Sequence, residues 1–251
     1  MANKNKKLPF FLPGIGVLCL VFFMAVPSIT KAQMFSITDQ TTPQEVPLTN
    51  IYVGYEPVNF EFDGDASLIP QRSKYNYNDP ILRFRLEAPG VELYFGYGAK
   101  FTGSQDVNYL NVGGKYYRHF RVLGDRKMSL FIPVQLRLDV TNVRNDQVVT
   151  DQFRQSSFSF GGGAGFRVRL GKSVRLNADI MPQYGYSVSA GATFGGSIYA
   201  LTGQSRLYFD DLFGKFGLSV GYDYNFKRYD INVNRFDYKL HANSLLLGIT
   251  F

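Results

Sequence analysis

The last eight residues, Ser244-Leu-Leu-Leu-Gly-Ile-Thr-Phe251, alternate with period two. Leu245, Leu247, Ile249 and Phe251 fall on one face of an extended strand, and Ser244, Gly248 and Thr250 on the other. The same period recurs upstream. Met128, Leu130, Ile132, Val134, Leu136, Leu138 and Val140 alternate with Ser129, Gln135, Arg137 and Asp139. Phe216, Leu218, Val220, Tyr222, Tyr224 and Phe226 alternate with glycine, Ser219, Asp223, Asn225 and Lys227, and Val91 to Phe101 carry a third apolar face.

Ten segments follow this pattern, near 50–62, 80–88, 91–102, 106–121, 127–142, 154–170, 173–188, 197–211, 214–230 and 236–251. No window has a helical period, so the chain from 49 to 251 is expected to be all-β: an antiparallel up-and-down barrel of ten strands, with eight as the alternative count. Two places break the phase. Apolar parity flips between Ile51/Val53/Tyr55 and Val58/Phe60/Phe62, around Glu56-Pro57. It flips again between Phe236/Tyr238/Leu240 and Leu245. A β-bulge is the expected cause of the first, and a bulge or a lipid-free extension near 241–244 that of the second.

Pattern alone does not say which face points inward, since a soluble lipocalin-like barrel would bury the apolar stripe and a membrane barrel turns it to lipid. Three features favour lipid. Many segments reach 15 residues or more, beyond a typical globular strand. The polar faces mix glycine with charge. Connections alternate between tight turns (Pro89-Gly90, 123–126, Gly171-Lys172, 211–214) and longer ones (63–79, 143–153, 189–196, 231–235), with 103–105 the short exception. Short periplasmic turns and longer outer loops give that rhythm. Tyr184, Tyr186, Tyr222 and Tyr224 are expected at the outer rim of the lipid face, and Phe120, Phe209, Phe216 and Phe251 at the periplasmic rim.

At the amino end, Lys4, Lys6 and Lys7 precede an apolar stretch from Leu8 to Val26, and Thr30-Lys-Ala32 supplies small residues for cleavage. Residues 1–32 therefore read as a signal peptide, with a membrane anchor as the alternative, and residues 33–48 as a periplasmic tail or small plug. Leu18 before Cys19 argues against lipidation. Cleavage would leave 219 residues without cysteine, excluding disulfides and thiolate chemistry, and would lower the formal charge from +7 to +3. So small an excess gives no case for nucleic acid. A mean hydropathy of −0.12 is compatible with a barrel, whose membrane signal lies in alternation.

Under this parity the lumen receives Arg83, Arg85, Lys100, Lys115, Arg121, Arg137, Arg167, Arg169, Arg175, Arg206 and Lys227, against Glu87, Glu92, Asp139, Asp179, Asp210 and Asp223. A ten-stranded interior is narrow, so these long side chains are expected to cross it as an ion-paired network. A constricted, mildly anion-preferring pore is the competing expectation, kept open by inward glycines at 161, 163, 165, 217 and 221.

Enzymatic readings find little. His119 and His241 are the two histidines. His241 and Ser244 stand three apart, on opposite faces of a regular strand, whereas a barrel lipid hydrolase needs them on one face. Asp63, Asp65, Asp79 and Asp230 lie in loops without a protease-like His partner, and Asp63-Gly-Asp65 is a weak cation motif. Gly161-Gly-Gly-Ala-Gly165 runs on into strand and not into a helix, so it is no phosphate loop. No metal, cofactor or catalytic set is expected.

Together, the export signal, the Gly/Tyr/Phe-rich alternating strands and the Leu247-Gly248-Ile249-Thr250-Phe251 ending resemble the small outer-membrane β-barrel domain proteins of Bacteroidota, including PorT-like members. The resemblance implies a Gram-negative outer-membrane location and a carboxyl-terminal signal at Leu247, Gly248, Ile249 and Phe251 read by the barrel-assembly machinery. A monomer surrounded by outer-membrane lipid is expected, with a structural, adhesive or narrow-pore role. PorT-like members are implicated in protein secretion, which makes assistance to secretion the alternative.

Overall fold

The computed structural model describes residues 49–68, 75–103, 106–125, 127–145, 152–189 and 195–251. The expected signal peptide and the whole of the tail lie outside them. Eleven antiparallel strands follow one another: β1 (Asn50–Phe62), β2 (Tyr77–Ala88), β3 (Val91–Gly98), β4 (Val107–Gly124), β5 (Met128–Asn145), β6 (Gln152–Gly162), β7 (Ala164–Arg169), β8 (Val174–Ser189), β9 (Gly196–Phe213), β10 (Phe216–Ile231) and β11 (Tyr238–Thr250). Each pairs with its neighbours in sequence except β6 and β7, which do not pair with each other, and β11 closes on β1 from Asn50↔Thr250 to Phe62↔Tyr238. Closure leaves no open edge around the wall, which a hydrocarbon solvent requires because it cannot satisfy backbone groups.

Ten positions make up the ring. β6 and β7 share one of them, both lying between β5 and β8 in a single register that Gly163 only interrupts. Gly163 still donates its N–H to the Pro133 carbonyl at 3.1 Å. Residue 163 has to be glycine, because the Ile180 backbone carbonyl occupies the place of a Cβ.

Tight turns at 89–90, 125–127, 170–173 and 214–215 cluster at the end where Thr49 and Phe251 exchange backbone hydrogen bonds of 2.9 Å. The longer connections lie at the opposite, loop end. In the turn after β4, the Asp125 carboxylate accepts the N–H groups of Lys127 and Met128 at 2.7 and 2.9 Å, which hold it below the usual carboxylate range. In the turn after β10, Asn232, Val233 and Asn234 all take left-handed φ values of 53 to 62°. Buried Asp237 braces that turn by accepting the Ile231 N–H at 2.8 Å.

Neither expected bulge exists. β1 holds one register against both β2 and β11 through Glu56-Pro57, and β11 holds one register against β10 through His241–Ser244. The change is in what the interior contains. Near the termini the inward side chains are polar and the outward ones apolar. Towards the loop end the inward residues Val58, Phe60, Tyr238, Leu240 and Ala242 are apolar and at most 2% exposed. They join Tyr77, Ile81, Tyr109, Val143, Phe153, Ile198, Tyr229 and Ile231 in one buried cluster. Phe60 stacks on Tyr238 with ring centroids 4.8 Å apart and planes 9° apart, and Phe153 lies 4.6 Å from Tyr238.

The outer wall is the reverse of a soluble protein's surface. Ile51, Val53, Phe84, Leu93, Phe95, Leu130, Ile132, Leu136, Phe158, Leu245, Leu247 and Ile249 are each 40–64% exposed, in strands whose alternate residues are buried polar or charged groups. An apolar band continued around the circumference has no stable place in water, where large contiguous patches are rare. It suits acyl chains. Phe120, Phe209, Phe216 and Phe251 lie at the terminal end as expected, and Tyr184 and Tyr186 face outward in the loop-end half of β8. Tyr222 and Tyr224, expected at the rim, sit in the middle of β10.

Candidate functional site

Between the aromatic cluster and the terminal end, inward side chains form a buried belt of charge. Register explains its first pair. Glu56 on β1 faces Ile81 and Arg83 on β2 faces Gly54, so the two are diagonal neighbours on one face. Arg83 grips Glu56 with two donors, its Nε at 2.7 Å from Oε2 and its Nη2 on Oε1. The Ser244 hydroxyl donates to the same carboxylate. Arg83 Nη1 donates to Asn111 Oδ1 at 2.8 Å, and Asn111 passes a hydrogen bond on to Asp139. Asp139 also receives Lys227 and, at 3.1 Å, Arg137. Arg137 donates its Nε to Tyr94 OH at 2.8 Å, and Arg83, Lys115 and Arg137 surround the Tyr94 ring at 5.1–5.8 Å.

A second group lies closer to the terminal end. Glu92 accepts Lys115 at 2.8 Å and stands 3.3 Å from Arg85 Nε. Asp223 takes Arg85 on one oxygen and Arg206 Nη1 at 2.5 Å on the other. Arg206 reaches across to Glu87 at 3.2 Å. These contacts link β1, β2, β3, β4, β5, β9, β10 and β11 through the middle of the barrel. Burying ions is costly, and a network is tolerable only where each charge meets its opposite with good geometry.

The belt contains six cations (Arg83, Arg85, Lys115, Arg137, Arg206, Lys227) and five anions (Glu56, Glu87, Glu92, Asp139, Asp223), each at most 8% exposed. The expected cation excess shrinks there to a single charge, which weakens the basis for anion preference. The other five expected cations lie elsewhere. Lys100 is exposed on a short turn after β3, because β3 ends at Gly98. Arg121 and Arg169 are exposed at the terminal mouth, where the strands overrun the packed interior. Arg167 is half-buried near that mouth and donates to Asn177 at 3.1 Å, while Arg175 makes a two-donor pair with Asp210 at 2.5 and 2.9 Å. Asp179 is partly buried, with one carboxylate oxygen unpaired.

Glu56 escaped the sequence reading because its Pro neighbour and the parity flip suggested a bulge. Straight alternation from Tyr52 and Gly54 would have placed it inside. The space expected beside inward glycines is occupied. Arg206 lies 3.0 Å from the Cβ position of Gly221, and Gln183 Cγ lies 2.6 Å from that of Gly161. A small polar cavity of about 30 Å³ is bordered by Arg83, Arg85, Lys115, Arg137, Asp223 and Asn225. An unpaired buried atom in its lining, Asn225 Oδ1, suits water in such a polar cavity.

Among the described residues, His241 and Ser244 are not brought together. His241 faces outward against the Phe226 ring at 4.8 Å, while Ser244 faces inward on Glu56, as the spacing of three predicts. Asp63 pairs with Lys239 at 2.7 Å and Asp65 accepts the Ser67 N–H at 2.9 Å, so the two carboxylates are engaged separately. Leu247 and Ile249 point outward, whereas Gly248 lies under the Tyr52 ring, whose Cε1 is 2.6 Å from the point that a Cβ on residue 248 would occupy. Leu246, on the polar face by parity, is 2% exposed inside.

No family model and no curated protein matches this chain. Among solved structures it is similar to the outer membrane protease OmpT of Escherichia coli, at 7% identity over 85% of this chain and 98% of that one, with a TM-score of 0.45. It is similar to Ail, the attachment invasion locus protein of Yersinia pestis, at 15% identity over 82% and 99%, with a TM-score of 0.31. Neisserial surface protein A gives 10% identity over 80% and 95%, with a TM-score of 0.32. These likenesses concern the fold alone. The closed ring, the apolar wall and the charged interior identify the chain as a transmembrane antiparallel β-barrel of the outer-membrane kind.

Proposed function

We propose that this protein is a monomeric, non-enzymatic outer-membrane barrel whose lumen does not conduct, serving as a rigid scaffold that presents its connections on both sides of the membrane. One observation carries the reading: an interlocked belt of eleven buried charges lies beneath a fully buried aromatic cluster, so the lumen is blocked twice. In this reading the tight-turn end faces the periplasm and the loop end the exterior, the usual arrangement for such barrels. Its surroundings are outer-membrane lipid, and the barrel-assembly machinery is its partner during biogenesis. Export through a cleaved signal peptide belongs to the same proposal.

Planar-bilayer recording of the purified barrel tests the closed lumen. Silence up to the voltages at which the bilayer itself fails is expected, and reproducible conductance steps would overturn it. Outer-membrane residence predicts that the protein pellets with outer membranes and migrates faster on a gel unboiled than boiled. Hydrolysis of phospholipid or lipid A that disappears in His241→Ala would refute the non-enzymatic reading.

A further inference from the structure

The β4–β5 hairpin leaves the barrel wall at the terminal end. β3 and β4 last pair at Val91↔Tyr116, and the final bond across that seam runs from the Tyr117 N–H to the Gly90 carbonyl at 2.9 Å. β4 continues to Gly124, paired on its other side with β5. Residues Arg118 to Gly124 are all exposed, about 23 Å of strand. By contrast, β9 outruns its bonds to β8 only from Asp211 to Phe213. Among the described residues no strand pairs with the β3 side of this overhang.

Backbone direction alternates along a strand. Tyr117 turns its N–H towards β3, so His119 and Arg121 turn theirs the same way, past the Pro89-Gly90 turn and into the open. An unpaired row of donors and acceptors is a template for another strand. The side chains define what that strand would carry. Phe120, on the outward face, and Val122 offer apolar neighbours, 57% and 55% exposed; the register against β5 shifts between Arg121 and Leu123, so regular alternation along the edge ends at Arg121. His119 and Arg121 lie on the inward face, Arg121 Nη2 donating to the Gly124 carbonyl; Arg118 lies on the outward face against Tyr116, and the Asp125 carboxylate is taken up by its own turn. A second copy of this hairpin would bring arginine against arginine.

We propose that the free edge of β4 from Arg118 to Gly124 is a strand-addition site for an extended, alternating acidic–apolar segment of another periplasmic protein. Its backbone would pair with His119 and Arg121, its acids would face Arg121, and its apolar residues would lie beside Phe120 and Val122. The side of the membrane rests on the orientation proposed above; the edge itself does not.

The test uses the full barrel in lipid nanodiscs and a synthetic seven-residue peptide alternating Glu and Val, with a Lys/Val peptide for comparison. The Glu/Val peptide should bind at least about tenfold more tightly than the Lys/Val one. It should also slow hydrogen exchange at the His119 and Arg121 amides, which exchange rapidly without it. His119→Pro removes a donor that points away from β5, so no ladder bond is lost, and it should abolish binding. Arg121→Glu should reverse the peptide preference and serves if the proline variant does not fold. Equal binding of both peptides, unchanged binding in these variants, or slow exchange at both amides before peptide is added would overturn the proposal. Arg118→Cys, labelled with an impermeant maleimide, should react only after the outer membrane is opened. Labelling of intact cells would refute the orientation and leave the peptide result standing.

Discussion

Glu56→Ala is the sharpest perturbation of the belt. Glu56 and Arg83 are each 3% exposed, and the carboxylate accepts two donors from Arg83 and one from Ser244. Removing it leaves a guanidinium still held by a hydrogen bond to Asn111, at 2.8 Å, but with no carboxylate in contact among the described residues. Stranding one member of a buried pair costs about 3–5 kcal/mol. Glu56→Gln keeps an acceptor and should cost about 1–3 kcal/mol. Replacing both partners, as in Glu56→Ala with Arg83→Leu, should recover most of the loss, because the cost lies in the uncompensated charge and not in the absent bond. Urea titration of the refolded barrel in detergent, followed by the fast-to-slow gel shift, measures all three. A Glu56→Ala penalty below about 1 kcal/mol would mean that water solvates Arg83 freely. The interior would then be wet, and the closed-lumen reasoning would fail.

Other consequences follow from particular contacts. Phe60→Ala removes the ring stacked on Tyr238 and should cost about 3–5 kcal/mol in the same titration, while admitting small thiol reagents to a cysteine placed at Thr141. Gly248→Ala drives a methyl into the Tyr52 ring and to 2.8 Å from Ser219 Oγ; a loss of about 1–3 kcal/mol is expected, with slower refolding into vesicles as a second readout. Val233→Gly should raise stability by about 1 kcal/mol, because a β-branched residue at φ 53° and 90% exposure has strain to lose and no packing to forfeit.

Much of the wall was legible in the sequence, because alternation reports which residues share a face. The segments 127–142 and 214–230 fall within two or three residues of β5 and β10 at most boundaries. What alternation does not report is the nature of the interior. Ile51/Val53/Tyr55 and Val58/Phe60 looked out of phase only on the assumption that inward means polar. The aromatic cluster violates that assumption at the loop end, and one error hid both Glu56 and the continuity of β11. Lys100, Arg121 and Arg169 failed for a different reason. Parity says which way a side chain points, but not where a strand ends: Lys100 falls beyond β3, and Arg121 and Arg169 lie near the ends of β4 and β7. The overhang of β4 was invisible for the same reason, since it depends on β3 being short.

The central claim is that the apolar face meets lipid and the charged face meets protein. The chain contains no tryptophan, so a single introduced indole reports without background. Leu136 is 42% exposed on the outer wall in mid-β5, and its neighbour Gln135 is 2% exposed inside. In vesicles of brominated phospholipid, fluorescence of Leu136→Trp should be strongly quenched and that of Gln135→Trp hardly changed. The opposite pattern, or equal quenching at both positions, would contradict the account.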